Sequence, residues 1–263
     1  MGALAAIVSK PATRLLLLQK ITIITSNMLD KKILRKIQKI AIGVDHDAAF
    51  GGKSKGNKHL ERAVRIALFL AEKSGADLNI TEAGAWLHDT ALPTGNDYDP
   101  EKNKRVVRGL LKGIDLTSQE VGRIAECAAS HEGTKAPSSP EAKIVHDADV
   151  IEKTGILGLV RHTWKLTNSG KLDPEHVTSA DVQAILSHIA WRKKQLRLPL
   201  SKKLAQRVAA KPAKKQARRI VATVAHLAQR GIITEVIATK LSKELSASQR
   251  ASLKSQLSLA YLK

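Results

Sequence analysis

Four places in the middle of this 263-residue chain carry side chains that could do chemistry together. His59 stands in GNKHLERAVRIA, and His88 and Asp89 are adjacent in AGAWLHDTALPTGND. His131 lies in AASHEG, while Asp147 and Asp149 share KIVHDADVIEKTG. Each is flanked by apolar residues that draw it towards an interior. Buried charge without a partner is expensive, so these groups must be paired, hydrogen-bonded or bound to a metal. Imidazoles and carboxylates together suit a divalent ion of the Mn, Fe, Co, Ni or Zn kind better than calcium. A lone His-Asp pair carries no such weight. His46-Asp47 is one, in the glycine- and lysine-rich stretch HDAAFGGKSKGNK with no apolar helix behind it.

The elements that must position these groups read as helices. From His59 onward Leu60, Val64, Ala67, Leu68 and Ala71 recur at three- and four-residue spacing, the period of one helical face. Thr81 is expected to cap a helix over Glu82–Asp89. Thr117 and Glu120 have the spacing of a capping box before Val121, Ile124, Ala125 and Ala128. Ser139 followed by Pro140 is a cap and a first-turn proline, opening a helix that Gly155 can end. On that helix Ile144, Ala148 and Ile151 mark the apolar face, with Asp147 and Asp149 about 100° to either side of Ala148. Periodicity does not choose between the two carboxylates. No convincing strand and no fixed-period repeat is present, and IVATVA at 220–225 sits in a basic helical pattern. The expected fold class is all-α.

Charge divides the chain into three. Lys and Arg number 44 against 24 Asp and Glu, a net +20. Residues 1–45 hold 8 basic and 2 acidic groups, residues 192–263 hold 18 and 2, and the middle, 46–191, holds 18 and 20. Eight of the nine histidines lie in that near-neutral middle. We therefore expect a basic N-terminal segment (1–45), a folded catalytic domain (46–191) and a basic helical C-terminal extension (192–263). The extension is read first as a solvated appendage packed on the core or on a second subunit, which would make a homodimer. A contact with nucleic acid or another polyanion is the second reading. Only seven residues are aromatic, and beyond Trp191 there is just Tyr261. Any such contact is expected to be phosphate-directed and salt-sensitive. Residues 1–27 are acid-free and read either as a targeting segment or as an artefact upstream of a natural start at Met28. A single cysteine, Cys127, excludes an internal disulfide framework and a multi-thiolate zinc knuckle. With no apolar run of membrane-spanning length, a cytoplasmic protein is expected.

In the order His59, His88-Asp89 and a final carboxylate in DAD, the chain resembles the HD-domain metal-dependent phosphohydrolases, whose pattern is H…HD…D on an all-helical core. The spacings are 29 residues from His59 to His88 and 60 from Asp89 to Asp149, and the resemblance covers roughly residues 55–165. It implies that His59, His88, Asp89 and Asp149 hold a divalent ion (Mn, Fe, Co, Ni, Mg or Zn), with Asp147 supporting a ligand. It also implies hydrolysis of a phosphate ester or anhydride by metal-activated water. Asp89 would be catalytic as well as a ligand. His131 would donate to a phosphate oxygen or join a second metal site, and Arg62, one turn after His59, would reach a phosphate. Lys58 and Arg161 are weaker candidates of the same kind. HD nucleotidases and alarmone hydrolases carry acids shortly after HD, where this chain has Leu92 and Pro93. Asp97 and Glu132 are the carboxylates that could stand in, and the GYP signature of cyclic-di-GMP phosphodiesterases is absent. DADVIEKTGILGLVRHTW is similar to HD hydrolases with a DAD-type final motif, so the expected substrate is a nucleotide or small phosphorylated metabolite. The competing readings are a phosphodiesterase or nuclease holding RNA or DNA on the basic extension, and a scaffold in which metal only ties helices together. An HD-type di-iron oxygenase would need a second complete site, for which His131 and His146 look insufficient.

Overall fold

Helix-capping chemistry sets most of the element boundaries. In a computed structural model of the chain, the structure describes residues 29–95, 97–132 and 134–263. Twelve α-helices and no strand are found among them. The reading of residues 1–27 lies outside the described residues. The helices are α1 Lys31–Gly43, α2 His59–Ser74, α3 Leu78–Leu87, α4 Pro100–Leu110, α5 Ser118–Ala129, α6 Pro140–Glu152, α7 Gly155–Asn168, α8 Ser179–Lys194, α9 Pro199–Arg207, α10 Lys214–Gln229, α11 Thr234–Leu241 and α12 Ala247–Ser258. None is long and apolar enough to cross a membrane.

The Thr117–Glu120 capping box and the Ser139 cap form as their residue types require. Thr81 does not cap. Asp77 accepts from the backbone N–H groups of Asn79 and Ile80, so α3 begins four residues earlier than expected and Thr81 is buried inside it. An aspartate already satisfies the orphan amides there, and a second cap has nothing to do. Nor does Gly155 simply end α6. It is the joint at the start of α7, with φ +62°, and a Cβ there would lie 2.1 Å from the Val208 carbonyl oxygen. Only glycine combines that backbone angle with so close an approach.

The apolar faces assemble into two cores. The first joins α1 to α6 and receives α9 and the chain end, through Ile37, Ile66, Leu87, Ile124, Ile144, Leu204 and Tyr261. Small residues let its helices approach closely: at Gly84 a Cβ would lie 2.6 Å from Cys127 Cβ. The second joins α7 and α8 to α10, α11 and α12, through Leu159, Trp164, Ile185, Val221, Val224 and Ile237. Packing thus runs across the charge boundaries: α1 precedes residue 46 and α9 follows residue 192, yet both bury apolar residues in the first core.

Candidate metal centre and its cationic wall

The polar groups meet where α2, α3, α5 and α6 converge. His59 is the first residue of α2, His88 and Asp89 follow the last turn of α3, His131 follows α5, and Asp149 lies in α6. His59 Nε2 is 3.0 Å from His88 Nε2, 3.1 Å from Asp89 Oδ2 and 3.5 Å from Asp149 Oδ1. His88 Nε2 is 3.5 Å from Asp89 Oδ2 and 3.6 Å from Asp149 Oδ1. Four potential donor atoms therefore face one another at close range.

Local backbone contacts aim them. His88 Nδ1 lies 2.7 Å from the Ala85 carbonyl, three residues back, and donates its hydrogen there. His131 repeats the device on Ala128 at 2.6 Å. A ring whose Nδ1–H is tied to a carbonyl presents Nε2 as a lone pair in its neutral form. Asp149 is completely buried, and its Oδ2 accepts from Lys153 Nζ and Arg192 Nη2, each at 2.7 Å. Its Oδ1, facing the histidines, accepts no hydrogen bond.

These residues fit a divalent ion. Ligand atoms about 2.1 Å from such an ion lie roughly 3.0–3.4 Å from one another in octahedral or tetrahedral arrangements, close to the separations between these donors. The electrostatics agree. Burial opposes charge on His88, yet Asp89 and Asp149 outweigh it and push its pKa up to about 10. Burial likewise opposes charge on Asp89 and Asp149, but His88 and the cationic neighbours hold both well below the usual carboxylate range. His59 is the exception, held well below the usual imidazole range by burial and by Arg161. A metal ion would take the place of the proton that this cluster stabilises.

His131 reaches the cluster with Nε2 turned to Asp89 Oδ1 at 3.3 Å and Glu132 Oε1 at 3.5 Å. Asp89, Asp97, His131 and Glu132 form a second acidic group with donor atoms within 4.8 Å of one another. Cations already occupy its carboxylates: Glu132 pairs with Lys153 at 2.8 Å and Arg192 at 2.9 Å, and Asp97 with Lys165 at 2.9 Å. These ion pairs oppose a second divalent ion there. Asp147 faces elsewhere, accepting from the backbone N–H groups of Arg197 and Leu198 and from His146 Nδ1. Arg62 is not brought to the centre. Its guanidinium is buried and held by Glu152 and Glu235. Lys58 contributes its backbone N–H to Glu235.

A cavity of about 60 Å³ opens on His59 and Asp89, walled by Lys153, Arg161 and Lys165. Its other wall carries the rings of His162 and His188, stacked at 4.1 Å and 7° from parallel, with Phe50 edge-on to Trp164 at 5.1 Å. Burial depresses both imidazoles, to about 3 for His162 and about 4 for His188, so the stack is neutral at physiological pH. Asp45 also lines the cavity, its carboxyl raised to about 6 by burial and by Asp89. Apart from Arg161, sequence reasoning missed this wall. Its members have no fixed spacing to the motif; the only signal was three basic or imidazole residues close together in GILGLVRHTWK just after DAD.

Comparison with known proteins agrees with the geometry. Residues 57–154 match the family model of the HD domain. A structural-genomics protein from Lactobacillus plantarum is 25% identical, over 68% of this chain and 91% of its own, with a TM-score of 0.53. Bacillus subtilis YpgQ in complex with ADP is 21% identical over 66% and 87%, with a TM-score of 0.47. A predicted HD superfamily hydrolase from an uncultured Thermotogales bacterium is 20% identical over 65% and 91%, with a TM-score of 0.40. No curated protein matches the chain. With the motif residues gathered at one buried centre, residues 57–154 are an HD domain, and that domain supports a metal-dependent hydrolase.

Proposed function

We propose that this hydrolase cleaves a phosphate ester or anhydride of a nucleotide or another small phosphorylated metabolite. The observation that carries the reading is the cavity itself, with metal-type donors on one side and Lys153, Arg161 and Lys165 on another. About 60 Å³ accommodates roughly four or five waters, a space suited to a single phosphoryl group rather than a polymer backbone. The neutral His162–His188 stack offers a flat face to a base or another planar group.

His59, His88, Asp89 and Asp149 would hold one divalent ion, which when bound supplies an acidified water and positive charge for a phosphoryl oxygen. The protein's own contribution is orientation and charge. Lys153 and Arg192 lock Asp149 through Oδ2 and leave Oδ1 for the centre. His131, whose pKa Asp89 and Glu132 push up to about 9 against burial, faces Asp89 Oδ1 at 3.3 Å. We assign it a positioning role. Arg161 and Lys165 line the same cavity and would bind the phosphate in ground and transition states alike. Arg62 is assigned to structure.

Purified protein incubated with Mn²⁺ and a panel of nucleoside mono-, di- and triphosphates, with phosphate and pyrophosphate release measured, tests this. Release by the wild type and none by a folded Asp89→Ala variant supports the reading. Silence from both removes nucleotides from it. The excess of cations in residues 192–263 favours a second reading, cleavage of RNA or DNA. Binding that weakens steeply with salt, together with cleavage of an oligonucleotide, would replace the first reading by the second.

A further inference from the structure

A second cavity, of about 520 Å³, shares Ile189 with the first and lies between the start of α7, the length of α8 and the 209–214 connection. Leu159, Leu186 and Pro212 give it apolar walls, and Lys193, Lys194, Lys211 and Lys214 give it charge. A neighbouring hollow of about 330 Å³ shares Gln183, Leu186 and Lys214 with it and adds Lys215 and Arg218. Among the described residues no Asp or Glu lines either one. Among the described residues none of these six cations forms an ion pair.

The contrast with the metal centre is what gives the groove meaning. There Lys153, Arg161, Lys165 and Arg192 are each paired with a carboxylate at 3.4 Å or less. In the groove like charges crowd instead: burial and the neighbouring Lys211 lower the pKa of Lys193. Its rim is nonetheless built, because Gln249 donates to the Lys211 carbonyl at 3.1 Å and Gln256 donates to the Thr154 carbonyl at 2.9 Å. Small-molecule pockets run to about 300–1,000 Å³ with mostly apolar walls and a few placed polar groups. A nucleic-acid track would instead spread its cations along an extended surface.

We propose that this groove is a second ligand site, for an organic phosphate of nucleotide size carrying two or more phosphoryl groups. Lys193, Lys194, Lys211 and Lys214 receive the phosphates, and Leu186 and Ile189 pack against the organic body. The site is separate from the metal centre and does not depend on what that centre hydrolyses.

Hydrogen exchange with adenosine 5′-(β,γ-imido)triphosphate as probe tests the assignment, read separately over 209–218, which lines the groove and not the first cavity, over 183–194, which both cavities share, and over the remaining segments of the metal centre. We expect protection of both groove segments, and at least a tenfold weaker apparent Kd for that protection in Lys193→Glu/Lys214→Glu. The Lys194→Gln/Lys211→Gln pair, which adds no negative charge, should weaken it in the same direction. All four side chains are at least partly exposed, so the variants should keep the wild-type circular dichroism. Absence of protection in the groove segments at millimolar probe overturns the proposal, as does protection that both double variants retain. Protection by a twelve-nucleotide oligothymidylate but not by the imidotriphosphate also overturns it, and makes the groove a nucleic-acid surface.

Discussion

The first core delivers electron donors to the centre, and the segment from Lys153 through α8 delivers cations and rings. His59, His88, Asp89, His131 and Asp149 all stand on or beside helices of the first core, whereas Arg161, His162, Lys165, His188 and Arg192 come from α7 and α8. Donor atoms that must share one ion have to be placed within a few tenths of an ångström. The first core does this with short anchors: two imidazoles tied to carbonyls three residues back, and helices drawn together at Gly84. Long cationic side chains need less exact backbones, because they can span a seam. On the proposed reading, a centre built this way would separate two tasks, holding an ion and receiving an anion, into two packing units that can be perturbed one at a time.

The largest effect should come from the donor side. Asp89→Ala removes a carboxylate facing both His59 and His88, and we expect metal content to fall below stoichiometric and turnover to drop by about 10³ or more, as for loss of a preorganised charge at a reaction centre. Metal analysis of dialysed protein beside the activity assay checks it; full occupancy in the variant would show that the remaining three groups suffice.

Arg192 joins the two sides, so its loss tests whether the centre needs both. It is fully buried, and it bonds Glu132 Oε2 at 2.9 Å and Asp149 Oδ2 at 2.7 Å. Arg192→Met leaves two buried carboxylates short of a partner, which costs about 3–5 kcal/mol. Arg192→Lys should recover only part of this, because an ammonium lacks the planar fork that reaches two acids at once. Denaturant unfolding measures both. A melt unchanged in Arg192→Met would mean that Lys153 alone neutralises the pair.

Arg192 also shows where reading the chain stops. The order His59, His88-Asp89, Asp149 is legible because those residues are anchored within one core, by helices whose periodicity and caps are written locally. Choosing Asp149 over Asp147 required the resemblance, since both flank the apolar face equally. The geometry that separates them comes from residues 43–51 positions later: Arg192 and the Arg197–Leu198 backbone. Arg192 itself reads as the first residue of a basic tail, because net charge does not report which cation turns inward. Arg62 fails in the opposite sense. Its spacing from His59 places it one turn away, but Glu235, far along the chain in α11, claims it.

Gly155 holds the two cores at their joint. Adding a Cβ brings it against the Val208 carbonyl at a φ that disfavours side chains, and Gly155→Ala should destabilise by about 2 kcal/mol or more. The strain falls next to Lys153, so metal affinity should drop with stability, whereas Gly170→Ala, at φ +70° with nothing within 4 Å, should cost less and leave the ion untouched. Equal losses in the two variants would mean that only the backbone angle matters at Gly155.

On the cationic side, Arg161→Met should raise KM by about tenfold with kcat falling less, since a phosphate contact made in ground and transition states alike acts mainly on binding. A fall in kcat at unchanged KM would place Arg161 at the reacting group instead.

The smallest effect concerns the stacked rings, and its sign is opposite to that of His88 and His131. His162 is depressed to about 3 and His188 to about 4, so below the unfolded value near 6.5 the unfolded chain binds protons that the folded chain refuses. Their contribution to stability is therefore intact above pH 6.5 and lost as pH falls towards 4. His88 and His131, raised to about 10 and about 9, lose nothing over that interval. In metal-depleted protein, melting at pH 7 and pH 5 should show a drop that His162→Gln reduces by about 1 kcal/mol, allowing for the partial exposure of the ring. If the drop is identical in the variant, His162 accepts a proton without leaving the stack, and the neutrality assigned to that wall of the cavity is wrong.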